Sequence, residues 1–348
     1  MEHKLYIVLD CPLSSNDKSW ITGLRVPGYE TIALGVEQEL SQLVRNGVHG
    51  RVRNYWLQIK QVLNVLFKSN QNDVIVVWYS VTGQILNLVS GWFGGRNLIL
   101  MNFLTPEKRP GVVGWMFRKA INNKRNSILV NSKESIEQYK KLFNLKDGEN
   151  ASFFHFPDVF NDAESFLEPQ WCGNEDLRYF FTGGMSNRDW QLIEKVARQI
   201  PHVKFLCVAL QSDFESCVKE IPTNMEVVFN LPSDEYYEKM RNAYCVLLPL
   251  RNDSVAGLIT ILKSIQLGVP CLVSATKATK QYYPISETYC LIERDVKEWC
   301  RIINRISSMG RDEYVSLAKS LQVHIQREYS PTNALQKIEK IVLVYNNK

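Results

Sequence analysis

Paired cysteines, metal-ligand spacings and long charged blocks are all missing from this chain, and each absence removes a class of function. The eight cysteines stand apart at Cys11, Cys172, Cys207, Cys217, Cys245, Cys271, Cys290 and Cys300, with no C-x-x-C pair. Several fall inside apolar runs, so free buried thiols in a reducing compartment are expected rather than disulfides or a zinc site. There is no Asp-x-Asp and no His-Glu-x-x-His, so no metal site is expected. The formal net charge is only +5, and no long basic block is interleaved with aromatics, which argues against nucleic acid and for phosphorylated small molecules or anionic lipid. The longest uncharged stretch, 74–95, is broken by Ser80, Gly83, Gln84, Asn87 and Ser90, so it reads as a buried strand, a turn and a helix rather than a membrane span. The first apolar run, 5–9, is short and ends at Asp10, unlike a signal peptide, and a cytoplasmic location is expected.

What the chain does contain is enough apolar sequence for two cores: 348 residues, 45% hydrophobic and 22% charged. From residue 177 onward, short β-branched and aromatic runs alternate with longer periodic ones, the pattern of a parallel α/β sheet with crossover helices. Strands are expected at 177–182, 203–210, 225–230, 244–248, 271–274 and 289–292. The first part repeats this logic less regularly, with strands at 5–9, 74–79, 98–101, 128–130 and 152–156. Asn131 with Glu134 resembles a helix-capping pair. Residues 157–176, rich in Asp, Glu, Asn and Pro, are expected to link a first domain, 1–156, to a second, 177–330, with a cleft between them. Pro331 should open a last helix, 331–348, that returns to the first domain.

In open parallel sheets, ligands bind beyond the carboxyl ends of strands, where helix N-termini present unpaired N–H groups. Two loops of the second domain fit. In Phe181-Thr-Gly-Gly-Met-Ser-Asn-Arg-Asp189, Gly183 and Gly184 permit close backbone approach and Arg188 offers a guanidinium suited to oxyanions. A tight turn with Asn187 or Asp189 capping the next helix explains the same residues structurally. The second loop runs from Pro249 to Gly257, which opens an apolar helix closed by Gly268. The N–H groups around Ala256, Gly257, Leu258 and Ile259 would favour a phosphate by roughly 0.3 to 1 kcal/mol. An ordinary crossover helix is the structural alternative.

The sequence of strand, Pro249, polar loop, Gly257, apolar helix and Gly268-Val-Pro270 resembles the donor-site segment of the retaining GT-B glycosyltransferases grouped as family 4. Thr182-Gly-Gly-Met185, Ile128-Leu-Val-Asn-Ser132 and Glu226-Val-Val-Phe-Asn-Leu-Pro-Ser-Asp-Glu235 are similar to further parts of that family, so the likeness spans nearly the whole chain. It implies two Rossmann-like, doubly wound domains and a nucleotide-sugar donor, UDP-sugar first. Donor phosphates would lie near Gly184, Arg188, Ala256, Gly257, Leu258 and Ile259, and the base near Leu231 and Pro232. Asp253 and Ser254 would reach the sugar or ribose. No cofactor is implied beyond the nucleotide-sugar co-substrate.

The family's paired glutamates, eight positions apart, are replaced here by Val255 and Lys263. Lys263 could meet a phosphate as a point charge or simply face solvent. Asn102 holds the strand-end place that faces the donor sugar in this fold, or else shapes a turn. With Asp253, it is the candidate for a catalytic role. His155 is a further candidate acid, base or ligand, or a core histidine. Lys108, Arg109, Arg118, Lys119, Lys124 and Arg125 bracket 112–117, where Trp115 and Phe117 suit a peripheral membrane contact, each cation contributing about 1 kcal/mol near anionic lipid. An amphipathic helix with Trp115 buried is the other reading. The expected activity is transfer of a sugar to a glycan or polyprenyl-diphosphate-linked acceptor, without a metal and with retention of configuration. A non-catalytic GT-B-like partner or glycan-binding subunit is the alternative.

Overall fold

Strands buried on both faces read as unbroken apolar runs because helices cover each side, and Val74–Val77, Phe205–Ala209 and Cys245–Leu248 do so here. A computed structural model of the chain describes residues 3–15, 19–40, 43, 47–78, 80–103, 110–161, 163–171, 179–184, 186–253 and 256–346. The chain divides into two compact units. Unit 1 comprises Met1–Pro157, Asn161–Ala163 and Pro331–Lys348, and unit 2 comprises Asp158–Phe160 and Glu164–Ser330.

Unit 1 holds β1 (His3–Val8), α1 (Ser19–Thr22), β2 (Tyr29–Leu34), α2 (Gly47–Lys68), β3 (Val74–Val77), α3 (Ser80–Gly91), β4 (Asn97–Leu100), α4 (Gly111–Ile121), β5 (Asn126–Val130), α5 (Lys133–Phe143) and β6 (Ser152–His155). Its sheet is parallel throughout, in the order β2-β1-β3-β4-β5-β6. Buried amides on α2 serve backbone carbonyls beyond the strands: Gln61 Nε2 donates to Leu9 O at 2.7 Å and Asn54 Nδ2 to Leu40 O at 2.6 Å. The last helix, α13 (Pro331–Asn346), belongs to this unit and sets the Tyr345 hydroxyl 2.7 Å from Ser127 Oγ.

Unit 2 holds β7 (Phe180–Gly184), α6 (Trp190–Gln199), β8 (Phe205–Ala209), α7 (Gln211–Cys217), β9 (Met225–Phe229), α8 (Ser233–Arg241), β10 (Cys245–Leu248), α9 (Leu258–Gln266), β11 (Cys271–Ser274), α10 (Lys277–Lys280), β12 (Leu291–Ile292), α11 (Val296–Ser307) and α12 (Arg311–Glu328). Its parallel order, β12-β11-β10-β7-β8-β9, is the doubly wound arrangement with its reversal between β7 and β10. The apolar stripe of α11, Trp299, Ile302, Ile303 and Ile306, is buried in the core beside α6. Two buried tyrosines tie the layers, Tyr314 donating to Tyr244 O at 2.8 Å and Tyr244 to Ile306 O at 3.0 Å.

The α/β class and the doubly wound sheets are as expected from the sequence, and four details differ. β2 was not anticipated, because Tyr29–Leu34 is an edge strand with mostly half-buried positions and no clean alternation. The expected strand 289–292 shrinks to Leu291–Ile292, since Tyr289 lies in the 3-10 helix Ile285–Cys290, with Arg305 over its ring. Ser132, not Asn131, precedes α5, and its hydroxyl donates to Glu134 Oε2 at 2.7 Å instead of capping a backbone N–H. Within 157–176, residues 162 and 172–176 lie outside the described set, while 164–171 belong to unit 2. There, Leu167 N donates to Gln266 O at 2.9 Å and Trp171 Nε1 to Met309 O at 3.1 Å.

Asn224, just ahead of β9, donates through Nδ2 towards three carbonyls at the end of α6 and beyond it: Ala197 at 3.0 Å, Ile200 at 3.2 Å and Val203 at 2.8 Å. Asn224→Ala removes all three contacts at once. It is expected to lower the unfolding free energy of unit 2 by about 1–3 kcal/mol, read as an earlier urea transition by circular dichroism.

Candidate functional site

The reversal of strand order in unit 2 puts the ends of β7 and β10 side by side while their chains leave in opposite directions. Both loops singled out in the sequence emerge at this point, one after each strand. They are fastened to each other by backbone and amide contacts. Arg188 and Leu250 form an antiparallel bridge, and Asp189 N donates to Pro249 O at 3.0 Å. Asn187, in the left-handed region at φ 57°, accepts from Arg251 N on its carbonyl and from Asn252 N on Oδ1, both at 3.2 Å. Its Nδ2 donates to Asn252 O at 3.2 Å. Asp189 caps α6 by accepting from Leu192 N at 3.0 Å.

Beneath the two loops lies the guanidinium of Arg188. It is only 3% exposed, so it does not project from the loop as the expected phosphate clamp. Nε donates to Gly183 O at 2.7 Å and Nη1 to Ser186 O at 2.9 Å. Burial pushes its pKa below the usual guanidinium value, yet an arginine keeps its charge, and in a low-dielectric setting that charge is poorly screened. The glycines make room for it. A Cβ on Gly184, at φ 139°, would stand 2.5 Å from Arg188 Nη2, and one on Gly257, at φ 93°, would stand 3.3 Å from Nη1. A Cβ on Gly183 would meet the Tyr236 ring at 2.6 Å. Burial lifts the Tyr236 hydroxyl to a pKa of about 12, with Arg188 pulling the other way, so it stays protonated.

Gly257 also begins α9 with no side-chain cap. The first amides of α9 are therefore a positive helix end, and Arg188 adds its charge from below. Leu258 is buried, Ala256 is half-buried and Ile259 is exposed on the first turn. Leu231 packs half-buried on the unit 2 core, and Pro232 precedes α8, its carbonyl accepting Tyr236 N at 2.9 Å. The expected base loop and phosphate loop are thus joined through Tyr236. A helix N-terminus beside a buried cation is an arrangement whose charge favours an oxyanion.

The remaining candidates are placed differently. Lys263 forms an ion pair with Glu164 and lies over the Tyr237 ring at 4.7 Å, so its ammonium is occupied rather than offered to a phosphate. Asp253 is exposed and accepts from Arg294 Nη2 at 2.9 Å. Ser254, Val255, Met185, Lys108 and Arg109 lie outside the described residues. Asn102, in unit 1, adopts φ 58° and donates through Nδ2 to Trp78 O at 2.8 Å, the behaviour of a turn-forming asparagine. Phe117 is buried and stacked on Phe103 at 5.2 Å, whereas Trp115 stays exposed. Sequence reasoning missed Tyr236 and the cross-linking amide of Asn187. The latter had a signal, an asparagine in a tight turn, where the left-handed region is cheap for it.

No protein-family model matches the chain, and no curated protein does. Solved structures do match, and with the two sheets they define the class: the chain has the GT-B fold. An E. coli structure described as trehalose-6-phosphate bound with UDP-2-fluoro glucose shares 10% identity at a TM-score of 0.66, covering 97% of this chain and 98% of that one. A glycosyltransferase from Rickettsia africae ESF-5 shares 11% at 0.66, covering 99% and 98%. A UDP-forming α,α-trehalose-phosphate synthase from Burkholderia xenovorans shares 10% at 0.63, covering 98% and 99%.

Gly184→Ala forces a side chain into the left-handed region and against Arg188. It is expected to cost about 1–3 kcal/mol, visible as a lowered thermal midpoint. His155, at the end of β6, gives a pH prediction. Burial first, then Lys337 and Lys133, lower its pKa from 6.5 to about 4, and Nε2 is buried with no hydrogen-bond partner among the described residues. Well above the unfolded value of 6.5 it is neutral in both folded and unfolded chains and contributes no pH dependence. As pH falls from 6.5 towards 4, the unfolded chain takes up the proton first and unit 1 loses stability. His155→Asn should flatten the decline in urea midpoint across that window relative to the unsubstituted protein.

Proposed function

We propose that the chain is a glycosyltransferase that moves a sugar from a nucleotide-diphosphate sugar, UDP-sugar first, to a glycan or polyprenyl-diphosphate-linked acceptor. It would act at the inner face of the cytoplasmic membrane, in bacterial-type surface polysaccharide or glycoconjugate synthesis. One observation carries the reading: two glycine turns and an uncapped helix N-terminus meet at the strand-order reversal of unit 2 over the buried cation of Arg188. Solved structures of the same fold named for UDP-forming transfer, or for a bound UDP sugar, support it.

In this reading the demanding event is departure of the nucleoside diphosphate. Its growing negative charge would be met by the amides from Gly257 to Ile259, fixed before the reaction and aimed outward, with Arg188 strengthening the field from below. No metal and no protein nucleophile is part of the proposal. Retention of configuration is proposed from the family resemblance.

The test uses a residue the fold does not need. Ile259 is exposed on the first turn of α9, where glutamate is well tolerated by the helix but repels a diphosphate. In a thermal-shift panel of UDP, GDP, CMP and their sugars, one nucleotide at a hundred times its dissociation constant should add about 2.7 kcal/mol. Ile259→Glu should abolish that shift while leaving the ligand-free midpoint unchanged. If no nucleotide stabilises the protein, the donor reading fails and a non-catalytic partner takes its place.

A further inference from the structure

α2 is apolar on two opposite faces. One face is buried, with Val62, Val65 and Leu66 in the core against the sheet and Leu57 packed with Leu40 and Leu43. On the other, Val52, Tyr55, Trp56, Ile59, Leu63 and Phe67 recur at three- and four-residue steps, and all are exposed, Trp56 at 64% and Phe67 at 83%. That periodicity makes one outward stripe along a helix of 22 residues, about 33 Å long. α3 packs beside α2, and α4 beside α3. This layer carries further exposed apolar side chains, Trp92 at 83% and Phe93 just after α3, and Val112, Val113 and Trp115 on α4.

The charge of the layer has one sign. α2, α3 and α4 contain no Asp or Glu, while α2 carries Arg51, Arg53, Lys60 and Lys68 and α4 carries Arg118 and Lys119. Residues 47–125 hold eleven Lys and Arg against two acids, Asp73 and Glu107, in a chain whose whole net charge is +5. The rest of the chain is therefore net acidic, and the cations gather where the apolar side chains are exposed. Asp73 is buried, accepting from Lys4 N at 2.9 Å and Asn70 N at 2.7 Å. Of the cations on α2, Lys60 is paired, with Glu37 outside the layer at 3.2 Å.

From this we infer that the outward face of α2, with the exposed aromatics that follow α3 and line α4, docks in the plane of an anionic phospholipid bilayer. Trp, Tyr and Phe partition to the headgroup boundary, and basic residues among them meet lipid phosphates. A second copy is a poor occupant, because a two-fold α2–α2 contact would set Arg51, Arg53 and Lys68 against cations with no carboxylate on the helix to pair them. No described helix is long and apolar enough to cross a membrane, so the contact lies along the surface. The inference deepens the lipid-borne acceptor reading by naming the surface, but it would stand for a chain that bound no nucleotide.

Full-length protein should co-sediment with vesicles of phosphatidylcholine mixed with phosphatidylglycerol and not with phosphatidylcholine alone, and added salt should weaken the binding. Trp56→Glu with Phe67→Glu, both at exposed positions, should lower the bound fraction about tenfold or more, with circular dichroism and thermal midpoint unchanged. Arg51→Glu with Arg53→Glu should weaken it by at least about tenfold on the anionic vesicles. Failure to bind anionic vesicles, or binding by both double variants equal to that of the unsubstituted protein, overturns the inference. So does a stable dimer of the unsubstituted protein that Trp56→Glu with Phe67→Glu dissolves.

Discussion

A buried positive charge holds together the two loops that follow β7 and β10. Arg188 leaves the surface and gives its Nε to Gly183 O and its Nη1 to Ser186 O, and the glycines at 184 and 257 exist to leave room for it. An unpaired charge in such a place is costly, and here backbone carbonyl dipoles on one side offset part of that cost. On the other side an anion would offset more. In the proposed reading, the same interaction that braces the two loops would also draw a donor phosphate towards them.

Most of the unit 2 sheet was legible because parallel strands advertise themselves as short apolar runs, and Phe205–Ala209 and Cys271–Ser274 leave little to argue about. β2 was illegible for the opposite reason, being an edge strand of half-buried residues. The two loops were found by their glycines and proline, yet the sense of Arg188 was misjudged. Sequence shows a guanidinium next to a turn but not whether the chain turns it outward, and that depends on Leu250 pairing with it from 62 residues away. Lys263 was open for a similar reason, since its partner Glu164 lies far off in the chain. α2 hid its outward stripe because a helix apolar on both faces has no single periodic signature.

Charge in this protein is sorted by region more than by residue type. Cations cluster over 47–125, while the second half carries acids in local pairs such as Glu194 with Arg198, Glu298 with Arg301 and Asp253 with Arg294. Exposed pairs of this kind add little stability. Their effect is to neutralise the cations beside them, so that the field from the basic layer of unit 1 meets little competition from the rest of the surface.

β7 and β10 are neighbours in the sheet, but the chain runs out through β8 and β9 before returning to complete the pair. The closure entropy of that excursion must be met before Phe181 finds Val246, and only then can Arg188 reach Leu250. During synthesis the first glycine turn leaves the ribosome long before its counterpart, so no nascent chain ending short of α9 has both loops in place. In the proposed reading, ligand capture would report on completed folding of unit 2, and a nucleotide added during refolding would select only chains in which that long-range pairing has already formed.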